Sequence, residues 1–138
     1  MLTALLLAAG VAVANSPAAP SRSDASDALD LFFQQAGSGL RNCGRTHSMA
    51  KDRAATDECV LAAFAAREPF FVRYDQLGVD SIVAEGLMLS RSKQLSILHF
   101  DSYSCNGLSC VRVEPCGSPR ISKTKDGIRV ACASAYEM

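Results

Sequence analysis

The sequence predicts an α+β domain: two N-terminal helices packed on one face of an antiparallel meander sheet of about five strands, stapled by disulfides. Three observations lead there. Apolar residues recur at helical spacing in two stretches before Pro69 and switch towards strand spacing after it. The later runs are separated by short polar turns, which favour antiparallel neighbours. Six cysteines, an even number, all lie behind an apolar leader.

Residues 2–14 are the leader, ending in Ala12-Val13-Ala14. A small-x-small ending after an apolar run reads as a signal-peptidase site, with Asn15 first in the mature chain. The run is shorter than the roughly 20 apolar residues a helix needs to span a bilayer, so no membrane span is expected. Leu7-Ala8-Ala9-Gly10 begins like a lipoprotein box, but Val11 stands where the lipidated cysteine belongs; no lipid anchor is expected. A buried core helix is the alternative, opposed by the Ser/Pro/Ala-rich stretch behind it, which reads as a linker. The plan is a signal peptide over 1–14, a flexible linker over 15–26 and a single domain over 27–138. Such a length supports one hydrophobic core. Fourteen Lys+Arg balance 14 Asp+Glu, none of them in the leader. Zero net charge gives no reason to expect nucleic acid or an anionic membrane as the main partner.

Asp24 or Ser26 is placed to cap a first helix that runs to about Ala36, with Leu29, Phe32, Phe33 and Ala36 on one face. Gly37-Ser38-Gly39 stops it, and residues 40–52 read as a connector. Thr56 is placed to cap a second helix, with Asp57 and Glu58 in its first turn and Val60, Leu61 and Phe64 on its buried face. Arg67 ends it, and Pro69 forbids continuation. Residues 70–75 alternate as a strand, with Phe70, Val72 and Tyr74 on one side and Phe71, Arg73 and Asp75 on the other. After a turn around Gly78, residues 81–89 form a second strand, in which Gly86 marks a bulge or a close approach. A polar loop over 90–93 leads to a third strand over 94–103, where adjacent Ile97 and Leu98 leave the buried face undecided. Residues 111–116 and 127–133 complete the sheet.

Six cysteines allow 15 connectivities. Cys43 and Cys59 are the two in the N-terminal half and flank the start of the second helix. Cys105 and Cys110 bracket Asn106-Gly107, a tight-turn signal. A hairpin centred on Thr124 sets Cys116 and Cys132 directly opposite, eight residues to either side. The favoured pairs are therefore 43–59, 105–110 and 116–132. The competing reading, zinc held by Cys105, Cys110, Cys116 and Cys132 with His99, has spacings looser than those of zinc knuckles. No metal or cofactor is expected.

Chemistry is sparse. His99 and Asp101 share a face of one strand, with Asp80, Ser81, Glu85 and Tyr103 on neighbouring segments. A serine hydrolase needs a nucleophile, a base and an oxyanion hole, and there is no Gly-x-Ser-x-Gly elbow. Asp80-Ser81 and Asp101-Ser102 read more simply as turn residues. His47 falls in the connector, as an exposed or capping residue. Asp75, Asp80, Glu85 and Asp101 lack the ligand spacing of an EF-hand. Arg120, Lys123, Lys125 and Arg129 surround the last hairpin as a solvated edge that resists aggregation, or as a contact for an acidic partner or anionic lipid.

The order of helices and meander is similar in architecture to the beta-lactamase inhibitory protein repeat and to the small outer-membrane assembly lipoproteins. Cys43-Gly44, Cys59 with Ala62 and Ala63, Pro69-Phe70, Tyr74, Gly78, Asp80-Ser81 and Gly86 resemble a pattern in uncharacterised small exported proteobacterial proteins, over residues 43–101. That resemblance implies export and carries over no catalytic residue. The sequence reading is an exported, periplasmic or secreted, non-enzymatic binding or accessory module, with an envelope protein as partner. Its contact surface would be an exposed sheet face or the Cys105–Cys110 loop. The alternative is a small exported hydrolase using His99 and Asp101; a third is an accessory with no specific ligand.

Overall fold

A computed structural model describes residues 27–133 apart from 48, 50, 104 and 106. The expected signal peptide and linker, Asp24 and Ser26, and residues 134–138 lie outside the described residues. In chain order the elements are α1 (Ala28–Ala36), β1 (Arg41–His47), α2 (Arg53–Ala65), β2 (Phe70–Gln76), β3 (Val83–Leu89), β4 (Leu95–Asp101), a 3-10 turn (Gly107–Cys110), β5 (Val111–Thr124) and β6 (Gly127–Ala133). The strands are neighbours in the same order, β1 to β6.

This overturns the antiparallel five-stranded meander. The sheet has six strands, is mixed and curls into a half-barrel. β1 pairs with β2 in parallel, and every later pair is antiparallel. β1 occupies the stretch expected to be a connector. Its sequence, Arg-Asn-Cys-Gly-Arg-Thr-His, is polar, and only Cys43 and Thr46 are buried, so it carries no alternation to read. A parallel neighbour also needs a long crossover, which is the place of α2 in the chain.

Nor do the helices form a layer on one face; β2 separates them. Phe70, Val72 and Tyr74 join a core with Val60 and Ala63 of α2, together with Leu87, Leu89 and Leu95. On the other side Leu29 and Phe33 of α1 pack with Ala84, Leu98 and Phe100, flanked by Phe71 and Met88. Ile97 and Leu98 divide between the two cores. Gly86 sits in an unbroken ladder opposite Arg73, so there is no bulge. It is a close approach: a Cβ there would come within 2.8 Å of Cζ of Phe33.

β5 is longer than expected, and it turns. Val111 to Cys116 pair with β4, whereas Gly117 to Thr124 pair with β6, with a bulge between Gly117 and Arg120. Beyond that bend the hairpin lies over α2. Ile121, Ile128 and Val130 pack against the core of Val60, and Nζ of Lys123 is 3.9 Å from Oε1 of Glu58. α2 is thus enclosed between sheet and hairpin. It starts at Arg53, a turn before Thr56, and the carboxylate of Asp52 accepts from the Thr46 hydroxyl at 3.2 Å rather than capping the helix. α1 is capped by Asp27, whose Oδ1 accepts from the amides of Leu29 and Asp30.

Three disulfides join Cys43 to Cys59, Cys105 to Cys110 and Cys116 to Cys132. The sulfurs that zinc would need are spent in these bonds. The third pair forms in a hairpin that is not centred on Thr124. The hairpin turns at Lys125-Asp126 with Thr124 opposite Gly127, and Gly117 faces Ala133, so the ladder does not pair Cys116 with Cys132; next to the bulge their Cα atoms still lie 5.0 Å apart. A loop of this length, 16 residues, is worth about 3 kcal/mol by restricting the unfolded chain. Replacing Cys116 and Cys132 together by serine should lower the unfolding free energy by about 2–4 kcal/mol. Denaturant titration checks that figure. Hydrogen exchange should show β6 losing protection while β2 to β4 keep theirs.

Candidate functional site

His99 lies on the α2 side of β4, directly across from Glu85 of β3 and Arg112 of β5. Its Nδ1 is 3.7 Å from Oε1 of Glu85 and its Nε2 is 3.5 Å from Oε2 of Glu114. Both carboxylates are half exposed, and the imidazole is about a third exposed. Arg112 in turn holds Glu114, with Nε 2.9 Å from Oε1. The two contacts of His99 are long and solvated, and of small energetic value. The two carboxylates approach opposite ring nitrogens, so they cannot share one ion with a single imidazole nitrogen. No group of three or more potential ligands among the described residues is placed to hold a metal.

Asp101 shares the strand face but not the contacts. Its Oδ1 accepts from the amide of Tyr103 at 2.9 Å, an Asx turn. That bond and one from the Ser81 hydroxyl hold its carboxyl below the usual carboxylate range. The structure therefore brings Asp101 together with Ser81 and Tyr103, while His99 is drawn to Glu85 and Glu114. The pair does not form a dyad. The other expected acids are dispersed: Asp75 faces α1, Glu85 the α2 side, and Asp80 is exposed on the β2–β3 loop. His47 is exposed at the end of β1.

The strongest polar construction was not singled out from sequence. Arg73, in the middle of β2, is 2% exposed. Its Nη1 donates to Oδ1 of Asp27 at 2.6 Å and to Oδ1 of Asp30 at 2.9 Å; its Nη2 donates to Oδ2 of Asp27 at 2.6 Å. Nε donates to Oδ1 of Asp75 at 2.7 Å. Arg45 of β1 closes the circuit, to Asp75 and to Oδ2 of Asp30 at 3.3 Å. The available signal was an Arg-x-Asp step inside an apolar strand, with two further aspartates three residues apart at the start of α1.

Burial alone would push the carboxyl of Asp27 up. The hydrogen bonds and charge of Arg73, with the amides of Asp30 and Leu29, outweigh it and hold the group below its ordinary value. Burial likewise disfavours the guanidinium of Arg73, and Asp27 and Asp75 overcome that, raising its pKa. On the other face, burial and then the hydrogen bond to Asp57 at 2.8 Å push the Tyr74 phenol upward. A cleft of about 510 Å³ opens beside the Arg73 cluster, walled by the stacked rings of Phe33 and Phe71, with centroids 4.8 Å apart. Its two arginines are already neutralised by the three aspartates. Chemically the arrangement is a clamp for α1 rather than a ligand for an incoming anion.

Comparison with protein-family models, with curated proteins and with solved structures gave no match to this chain.

Removing one partner of a buried ion cluster leaves the others uncompensated, at a cost of about 3–5 kcal/mol. Arg73→Leu should lose that much stability at pH 7, with α1 the first element to exchange its amides. The lowered carboxyl of Asp27 gives stability that is fully present above the unfolded carboxylate value of about 3.9 and is lost as pH falls through the folded value. Asp27→Asn should therefore flatten the loss of stability below about pH 4, as read from denaturant midpoints at pH 7 and pH 3.

Proposed function

We propose that this chain is an exported binding module that works in the periplasm or outside the cell, with a protein of the cell envelope as its partner. The leader and its Ala12-Val13-Ala14 ending support export. So do the three disulfides, which suit an oxidising compartment. The exported-protein pattern over residues 43–101 points the same way.

One observation carries the binding reading. At one end of the sheet, Leu77 is 85% exposed, Val79 98%, Tyr103 69% and Ile82 43%. Single exposed apolar residues are ordinary, but a group of them marks a contact surface. These four lie on the β2–β3 loop and just after β4. Ile82 and Ser102 tie the two segments together through Ile82 N–H to Ser102 Oγ at 2.9 Å and Ser102 N–H to Ile82 O at 3.0 Å. Three paired strands anchor the loops, so less freedom is lost on docking. Asp80 and Asp101 are exposed beside the apolar groups, which repels an anionic lipid surface and favours a protein with a basic rim.

The test has two arms. Expressed with its own leader, the protein should be recovered from outside the cytosol with Asn15 at its N-terminus and no free thiol. Recovery inside the cell with residues 1–14 attached overturns export. A photo-crosslinker at Val79 should join a discrete envelope protein that the same group at Ser122 does not. Equal labelling from both positions overturns the assignment of the surface.

A further inference from the structure

We propose that the opposite end of the molecule holds a binding site for a small amphipathic carboxylate, an acyl chain ending in a single anionic head. The site lies where the C-terminus of α2, the β3–β4 turn and the bend of β5 meet. It is a cleft of about 640 Å³, within the range of about 300–1,000 Å³ typical of small-molecule sites. Phe64, Leu89 and Pro119 supply its apolar lining; Arg67, Lys93 and Ser118 supply its polar rim.

The charge on that rim is of one sign. Among the described residues no carboxylate lines the cleft. Glu68, next in sequence to Arg67, is taken by Arg41 at 2.9 Å. Nζ of Lys93 donates to the carbonyl of Arg67 at 2.8 Å. Closing the C-terminal end of α2 in this way uses one of the three ammonium protons. Neither Lys93 nor Arg67 belongs to an ion pair among the described residues. Two cations beside an apolar floor complement a carboxylate on an apolar chain: the head meets charge, and the tail replaces water against the half-buried Phe64 and Pro119.

The backbone supplies a second, independent observation. Among the described residues three non-glycines have positive φ: Arg67 at 54°, Lys93 at 66° and Ser118 at 43°. All three line this cleft. Each has a local reason to be left-handed, at a helix end, in a hairpin loop and at a bulge respectively. None of those reasons asks for a side chain, and glycine would sit there without strain. Strained positions gathered round one cleft are a mark of ligand sites; here the strain keeps two cationic side chains and a hydroxyl at the rim.

This inference does not depend on export or on the apolar tip, which lies at the other end of β2 to β4, so either reading can fail alone. The experiment is calorimetric titration of the oxidised protein with dodecanoate below its micelle concentration. Dodecanol and dodecyltrimethylammonium serve as uncharged and cationic controls, and acetate as the head alone. Dodecanoate should bind once per chain, at least tenfold more tightly than any control. The double substitution Arg67→Gly with Lys93→Gly relieves the strained backbone, so the variant should melt no lower than the parent yet bind dodecanoate at least tenfold more weakly. A variant that melts lower but still binds more weakly is replaced by Arg67→Asn with Lys93→Asn, residues that tolerate left-handed backbone, and the same tenfold loss is required. Absence of dodecanoate binding to the folded parent, equal binding of dodecanol, or undiminished binding by the folded variant overturns the proposal.

Discussion

β2 is buried on both faces, and the rest of the chain is arranged to cover it. Phe70, Val72 and Tyr74 are satisfied by apolar cover from α2. The opposite face is harder, because it carries Arg73 and Asp75. A buried guanidinium without anions costs several kcal/mol, so any element laid over it must bring carboxylates. α1 brings Asp27 and Asp30 at its N-terminal end. Asp27 also caps α1 through the same Oδ1 that accepts from Arg73. One carboxylate therefore couples formation of the helix to its docking. The missing Cβ of Gly86 then sets how close Phe33 can come.

The α2 side is closed differently, by bending the sheet instead of adding a second helix. α2 is rich in alanine, and among its apolar residues only Val60 and Ala63 are fully buried, too little apolar surface to hold it by one face. The curl of β5 and β6 covers it from the other side with Ile121, Ile128 and Val130. Cys43 and Cys116 are buried members of this core. The Cys43–Cys59 bond ties β1 to α2, and the Cys116–Cys132 bond lies beside the bend. Polar burial on this side is met locally: Tyr74 and Arg53 both bond Asp57, and the Arg53 guanidinium lies 4.9 Å from the centre of the Tyr74 ring.

Elements with a buried stripe were legible in the sequence, and so was β6 over residues 127–133; β1 and the far half of β5, held by pairing, were not. α1, β2, β3 and β4 show their faces in the spacing of Leu29 and Phe33 or in the alternation from Phe70 to Asp75. β1 had no stripe because it is an edge strand with two buried residues. β5 was ended at Cys116, whereas a bulge lets the strand pass on through Gly117, Ser118 and Pro119 to Thr124. The third disulfide was paired correctly from a wrong register because a bridge tolerates Cα separations of about 4.4–6.8 Å, and Cys116 and Cys132 lie within that range beside the bulge, at 5.0 Å. Alternation also put His99 and Asp101 on one face, but it does not say what lies opposite. Only the register shows that His99 meets Glu85 and Arg112. The cluster of Arg73 needed residues 46 positions apart, a distance over which no local pattern carries information.

The bend that closes the core on α2 also leaves its corner unfilled. A strand that changes direction at Gly117–Arg120 cannot keep side chains packed through the turn, so space remains between Phe64, Leu89 and Pro119. Cys116 directly precedes the bend, so its bond to Cys132 ties β5 to β6 beside that corner. A ligand held in the corner and the disulfide beside it then act on the same equilibrium, the hold of the hairpin on α2. Their magnitudes are comparable: a ligand at a hundred times its Kd stabilises by about 2.7 kcal/mol, against about 2–4 kcal/mol for the bridge. If both act through the hairpin, a filled corner should restore much of the stability that reduction of this bond removes, and the reduced protein should hold the ligand more weakly than the oxidised one.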